Sequence, residues 1–202
     1  MFIITLLDTK IYLEMQEITS IFLKKCAEYL HPVCQTYAYC LMPNHFHLLI
    51  KVRSKEELMI FYRENQIRKG KEINEQDILS ETFDFHKLVM LQFQHFLNGY
   101  AQAINKQFNR KGGLFLNNLK RIIVPTDSYF TSLIHYIHFN PVHHGFCKDL
   151  SDWHHSSYNA FLLEKATRLE RVEILNWFGN QEQYLRFHQQ PLDTSRFSEI
   201  EF

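Results

Sequence analysis

Two histidines separated by one residue, His45 and His47, form the first pattern that could do chemistry. They open an apolar run typical of a strand, and residues i and i+2 of a strand point to the same face. Both imidazoles would project together, with Phe46 on the opposite side. Two neutral imidazoles suit a divalent metal ion and leave room for a third ligand and a substrate. The chain has 12 histidines, so such a pair could also arise by chance.

Tyr136 and Asn140 form the second pattern. Residues i and i+4 share one face of a helix, so the phenol and the amide would stand side by side. A tyrosine hydroxyl, with an ordinary pKa of about 10, is a poor nucleophile until its target is polarised or its proton is removed. A metal ion beside a phosphate would polarise that target, and the amide oxygen of Asn140 could be the third ligand. The alternative is a packing tyrosine and an asparagine that caps the helix before Pro141.

A basic segment between residues 87 and 125 is the third feature. It holds six cations and no acid, whereas the whole chain balances 22 basic against 22 acidic residues. Zero net charge argues against coating nucleic acid by bulk charge, but a local anion-binding face is allowed. Five of these cations flank the glycine pair 112–113 and predict a track for DNA phosphates, with Phe115 or a nearby aromatic ring stacking on a base. They are Lys106, Arg110, Lys111, Lys120 and Arg121. The alternative is a solvated helix end, where cations are favourable.

The hydrophobic pattern predicts the elements that must position these residues. The core order is strand, helix, strand, strand, helix, strand, which favours an α+β fold with a ferredoxin-like antiparallel sheet and helices packed on one face. A further helix, stopped by Pro141, would carry Tyr136. The predicted strands are 2–7, 35–42, 45–52 and 114–124, and the predicted long helix is 87–108.

The chain is long enough for one full core with an added segment. We expect a domain over residues 1–160, with 53–86 as a partly helical insertion. Ser54 and Glu57 have the spacing of a capping box at the start of that insertion. Residues 161–202 are expected to form a C-terminal helical extension that ends in a loose tail, 194–202.

Composition bounds the cellular context. The longest apolar runs are too short to span a bilayer, and the N-terminus has no basic leader with a small-residue cleavage site. The four cysteines include no Cys-x-x-Cys pair, which argues against a disulfide scaffold or a zinc site. We therefore expect a cytoplasmic protein with no membrane partner.

The motifs become more specific when they are taken together. The segments YAYCLMPNHFHLLI (37–50) and YIHFNPV (136–142), with NKQFNRKGGLF (105–115) and DWHHSSY (152–158), occur in this order. This set resembles the single-tyrosine HUH transposases of the insertion-sequence-200-like family, in particular their REP-associated branch. The resemblance covers residues 2–161.

The resemblance implies a mechanism. In such transposases two histidines, and a polar residue one helical turn beyond the tyrosine, hold Mg²⁺ or Mn²⁺ at a phosphate of single-stranded DNA. The tyrosine attacks, which leaves a 5′-phosphotyrosine link and a free 3′-hydroxyl, and rejoining reverses the step without ATP. On this chain the implied metal ligands are His45, His47 and Asn140, and the implied nucleophile is Tyr136. The implied partner is single-stranded DNA with a hairpin or palindromic element, bound by a monomer or a homodimer.

Two other functions remain open at the level of sequence. A catalytically inactive or domesticated transposase-derived protein that binds nucleic acid would explain the zero net charge and the acidic insertion. Against it, the chain retains His45, His47, Tyr136 and Asn140 together, and a pure binder does not need all four. A metal-binding structural domain is the third hypothesis, and tight metal binding without DNA affinity would favour it.

Overall fold

Four strands form one antiparallel sheet. The structure is a computed structural model that describes residues 2–7, 15–73, 76, 78, 80–115 and 120–200. The strands are β1 (Phe2–Leu7), β2 (Cys34–Leu41), β3 (His45–Val52) and β4 (Lys120–Ile123), and their order across the sheet is β2-β3-β1-β4. Every neighbouring pair is antiparallel. The predicted ferredoxin-like sheet is confirmed.

Two helices cover one face of this sheet. Helix α1 (Met15–Lys25) continues into a π-helical turn (Cys26–Leu30), and the long helix α3 (Phe85–Gln107) begins where the Asp84 carboxylate accepts a hydrogen bond from the Lys87 backbone amide. Their buried side chains pack against the β3 residues that point to this face. This core includes Phe22, Phe93, Phe96, Phe46, Leu48 and Ile50. None of the helices in the described part of the chain is long and apolar enough to cross a membrane.

Helix α4 (Asp127–His143) packs on the opposite face, against Leu49 of β3 and Cys40 of β2. The two helices of the predicted ferredoxin-like core, α1 and α3, thus pack on one face as expected, and the further helix α4 covers the other. The physical reason is that β2 and β3 carry apolar side chains on both faces, and a strand buried on both sides needs a layer on each.

Helix α4 also runs past the residue expected to stop it. Pro141 lies inside the last turn, and the helix ends at His143. A proline lacks the backbone N–H that would bond to the carbonyl four residues earlier, so at this position it removes one hydrogen bond close to an end that would fray in any case. The following turn is closed by bonds from the His144 amide to the Asn140 carbonyl and from the Phe146 amide to the Pro141 carbonyl.

The described parts of the insertion and of the fourth strand have the secondary structure that the sequence predicts. Helix α2 (Lys55–Arg68) begins with the predicted capping box: the Ser54 hydroxyl accepts from the Glu57 amide, and the Glu57 carboxylate accepts from the Ser54 amide. Of the strand predicted over 114–124, residues 116–119 lie outside the described residues, and Lys120–Ile123 forms β4.

The C-terminal segment packs against α4. Helices α5 (Arg171–Phe178) and α6 (Gln181–His188) are followed by a 3₁₀ turn at Thr194–Phe197. Phe197 is 0% exposed and Ile200 is 1% exposed, and both belong to the core that contains α4. The expectation of a loose tail is therefore wrong for residues 194–200, because their apolar side chains are buried; residues 201–202 lie outside the described part.

Three buried histidines join α4 to α6. His138 Nδ1 and His188 Nε2 share a hydrogen bond of 3.0 Å, and His138 Nε2 lies 2.7 Å from the Ser157 hydroxyl. The ring of His135 lies 4.9 Å from that of His188. Burial lowers the pKa of His135 to about 4 and that of His188 to about 3, so these imidazoles are neutral at pH 7.

We predict that stability falls on acidification. In the unfolded chain a histidine has a pKa of about 6.5, so between pH 6.5 and about 4 the unfolded state binds more protons than the folded state. This contribution is complete above that window and is lost as the pH falls through it. Thermal unfolding in EDTA should show a lower melting temperature at pH 5 than at pH 7. His135→Phe should reduce this pH dependence, whereas His86→Gln, at an exposed position on α3, should not. Equal slopes for all three proteins would contradict the assignment.

We also predict a large cost for truncating Phe197. Removing a buried phenylalanine side chain costs about 3–5 kcal/mol, because the cavity it leaves collapses only in part. Urea denaturation of Phe197→Ala should show a loss of this size. Phe146→Ala, at a phenylalanine that is 38% exposed, is the matched control and should lose about 1 kcal/mol or less. Similar losses in the two variants would show that the tail is not anchored by Phe197.

Candidate metal and tyrosine site

The sheet brings His45 and His47 onto the face that α4 covers. Their ring centroids are 5.0 Å apart, and the ring of His47 lies 5.7 Å from that of Tyr136. Asn140 follows one helical turn after Tyr136. The strand pair and the helix pair selected from the sequence therefore meet at one place.

Both strand histidines are buried and therefore neutral. Burial lowers the pKa of His45 to about 4, with a further lowering by the nearby His144 and a partial opposition from Asn140. Burial also puts the pKa of His47 well below its ordinary value, and its neighbour His45 adds to this effect. A neutral imidazole is the form that donates a lone pair to a metal ion, so no proton has to be displaced at pH 7.

Asn140 is the third donor available to such an ion. It is 0% exposed, and within the described part of the chain neither its carboxamide oxygen nor its nitrogen has a hydrogen-bond partner of regular geometry. The Asn140 carboxamide also interacts with the imidazoles of His45 and His47, so the three side chains are neighbours. Among the described residues no group of three or more His, Cys, Asp and Glu could hold a metal ion. A site here thus depends on the Asn140 amide oxygen.

Tyr136 is covered by the C-terminal segment. It is 1% exposed, and its ring stacks on that of Phe197 with centroids 4.5 Å apart and planes inclined at 26°. Phe197 was missed at the level of sequence because it lies 61 residues from Tyr136 in a polar tail without periodicity. The one signal in the sequence is that Phe197 is an isolated aromatic residue between polar neighbours.

Two further residues lie against His45. Asn44 Oδ1 is 2.9 Å from His45 Nδ1, and the ring of His144 lies 5.6 Å from that of His45. His144 extends the i, i+4 spacing of Tyr136 and Asn140 by one more turn, a signal that the helical pattern does contain. Asn44 lies in the turn between β2 and β3, where sequence spacing says nothing of side-chain direction.

The structure divides the predicted phosphate track. Lys106 lies in the last turn of α3, and Arg110 and Lys111 follow in the next loop. Phe115 stacks on Tyr100 inside the protein, with ring centroids 6.1 Å apart. Lys111 is exposed and Arg110 is half-buried.

The two cations on β4 lie on opposite faces of the sheet. Thr5 pairs with both His47 and Lys120, so Lys120 belongs to the face that carries the histidines. Arg121 belongs to the other face, where its guanidinium lies 3.3 Å from the Met90 sulfur. Lys120 is therefore the β4 cation on the side of the candidate site.

This chain is similar to known proteins in sequence and in fold. No protein-family model matches the chain. A Haemophilus influenzae protein, provisionally named a REP-associated tyrosine transposase, is 26% identical over 187 residues, which cover 89% of this chain and 86% of that protein.

A solved structure supports the same assignment at the level of fold. It is that of a REP-associated tyrosine transposase bound to a REP hairpin, with a TM-score of 0.52 over 80% of this chain and 78% of that chain at 13% identity. In sequence over most of its length, and in fold, the chain is thus similar to the REP-associated tyrosine transposases.

Proposed function

We propose that this chain is a transposase that cleaves and rejoins single-stranded, hairpin-bearing DNA with Tyr136 as its nucleophile. The observation that carries the proposal is the position of Tyr136 beside the buried, neutral His47, with Asn140 one turn further along the same helix. Tyr136 lies beside His47 of its own chain, so we propose that the tyrosine acts in cis, in a monomer or in each subunit of a homodimer. The hairpin partner is inferred from the DNA bound to the structural relative, and such a substrate would place the protein in the cytoplasm.

His45, His47 and Asn140 would hold a divalent ion, Mg²⁺ or Mn²⁺. Two imidazole nitrogens and one amide oxygen leave open positions on an ion that prefers six ligands. When bound, the ion would supply electrostatic stabilisation for the charge that builds on the phosphate oxygens during displacement. The burial of the three side chains holds them in place before the ion arrives.

The reaction needs only the tyrosine as covalent partner. The Tyr136 oxygen forms a bond to phosphorus, and the bond from phosphorus to the 3′-oxygen breaks. The 3′-oxygen leaves with the electron pair and takes up a proton, while the phenolic proton passes to water. The products are a 5′-phosphotyrosine and a 3′-hydroxyl. Attack by a 3′-hydroxyl reverses the step, so one phosphodiester replaces another without ATP.

The cations supply sequence-independent contacts. Lys106, Arg110 and Lys111 would bind the DNA backbone at the end of α3, and Lys120 and Arg121 would bind it at the two faces of β4. Because Tyr136 is 1% exposed, DNA reaches it only when the segment that carries Phe197 moves away.

The covered tyrosine also favours a second candidate, a hairpin-binding protein that does not cleave. If the nucleophile stays under Phe197, the cations could still bind DNA, but no covalent step would follow. The same assay separates the two functions, because binding and adduct formation are measured independently.

We expect a covalent adduct that depends on Tyr136. The protein is incubated with Mn²⁺ and single-stranded DNA carrying any of several imperfect hairpins, then run on a denaturing gel. DNA labelled at its 3′ end should shift with the protein, whereas DNA labelled at its 5′ end should appear as a shorter free strand, because the link is to the 5′-phosphate. Tyr136→Phe should abolish the adduct and retain binding. Tyr129→Phe, at a tyrosine of the same helix, is the matched control and should form the adduct.

Two outcomes would count against this function. An adduct formed by Tyr136→Phe would show that another residue is the nucleophile. Hairpin binding by the wild type without an adduct on any DNA would favour the protein that does not cleave.

We also expect Mn²⁺ to stabilise the protein. A ligand that binds only the folded state, present at 100 times its Kd, adds about 2.7 kcal/mol to the free energy of unfolding. Chemical denaturation with and without Mn²⁺ should show such a gain in the wild type and in His86→Ala, and should show almost none in His45→Ala or Asn140→Ala. An equal gain in all four proteins would place the ion elsewhere.

A further inference from the structure

The turn between β2 and β3 contains a residue to which the proposed reaction assigns no role. Asn44 Oδ1 lies 2.9 Å from His45 Nδ1. A carboxamide oxygen can only accept a hydrogen bond, so the imidazole nitrogen facing it is the donor. The proton of the neutral ring is then on Nδ1, and the lone pair is on Nε2.

We propose that Asn44 is a positioning residue that holds His45 in the Nδ1–H tautomer, the form in which Nε2 carries the lone pair that a divalent ion needs. The inference rests on the proposed function, because it gives His45 the part of a metal ligand. Hydrogen bonding by the second nitrogen of a ligating histidine commonly fixes both its tautomer and its ring orientation.

The chemistry of a neutral histidine makes such a partner necessary. A neutral imidazole has a single ring proton, which must occupy one nitrogen or the other. With the proton on Nε2, that atom could not donate a lone pair. Asn140 also hydrogen-bonds to His45, but a carboxamide can donate or accept and so is compatible with either form. The Asn44 oxygen that faces Nδ1 can only accept, so it is the group that favours one form over the other.

The turn that carries Asn44 is braced from outside. The Leu41 amide donates to the His155 carbonyl at 3.0 Å, and the Trp153 indole N–H donates to the Leu41 carbonyl at 2.9 Å. The Met42 amide donates to the His45 carbonyl at 2.8 Å and closes the turn. Each of these bonds uses a backbone group of the turn, and none of them uses the Asn44 side chain. Removing the Asn44 acceptor should therefore alter the His45 ring and leave the turn intact.

The tautomer can be read directly. In the full-length, metal-free protein labelled with ¹⁵N-histidine, two-bond ¹⁵N–¹H correlations show which ring nitrogen of His45 carries the proton. The wild type and Asn44→Asp, which keeps an acceptor, should give the Nδ1–H form. Asn44→Leu, of similar size without an acceptor, should shift toward the Nε2–H form, and so should the smaller Asn44→Ala.

Metal affinity gives the second readout. Titration with Mn²⁺ alone should show binding that is about 10- to 100-fold weaker in Asn44→Leu and Asn44→Ala than in the wild type, the usual effect of losing such a partner. Asn44→Asp should restore affinity. Asn98→Leu, at an exposed asparagine of α3, is the matched control and should bind like the wild type.

The two proposals fail in different ways. A wild type in the Nε2–H form, or an Asn44→Leu variant that keeps both the Nδ1–H form and full Mn²⁺ affinity, would overturn the role of Asn44. A wild type that shows the expected tautomer but binds no Mn²⁺ would overturn the metal site and, with it, the purpose assigned to that tautomer.

Discussion

Strand β3 is buried on both faces, and most of the structure depends on that constraint. Phe46, Leu48 and Ile50 require the layer formed by α1 and α3 on one side, while Leu49 requires α4 on the other. His45 and His47 share the face of Leu49, so the helix that covers the apolar residue also covers the imidazoles. Burial then keeps both rings neutral, and the helix that buries them presents Tyr136 to His47. Packing and the proposed chemistry thus have one cause.

The burial of Tyr136 stabilises the core but conflicts with the access to substrate that a nucleophile needs. A nucleophile must reach its substrate, but Tyr136 fills a place in the core and stacks on Phe197. The segment that carries Phe197 is short, and its 3₁₀ turn is held locally by the Asp193 carboxylate, which accepts from the Ser195 amide. Such an element has few backbone bonds to break, so it is better suited to moving than α4, whose ends are tied by capping and turn bonds.

Sequence predicted what depends on local periodicity and missed what depends on distant partners. The strands, the long helix and the capping box at Ser54 follow from patterns within a few residues, and so do the i, i+2 and i, i+4 pairs of the site. The face chosen by α4 does not, because it depends on β2 and β3 being apolar on both sides. The anchoring of Phe197 depends on a contact across 61 residues, and the part played by Asn44 depends on a side-chain direction inside a turn. No spacing encodes either.

The histidine network between α4 and α6 has a consequence for how the chain unfolds. His138 bonds to His188 on one side and to Ser157 on the other, and the core around α4 includes Ile174 and Tyr184 from the C-terminal helices. Detaching those helices would expose apolar side chains of the core. It would also leave the buried His138 without its His188 partner, so partial unfolding is costly. The C-terminal helices and the helix that carries the tyrosine should therefore melt as one cooperative unit.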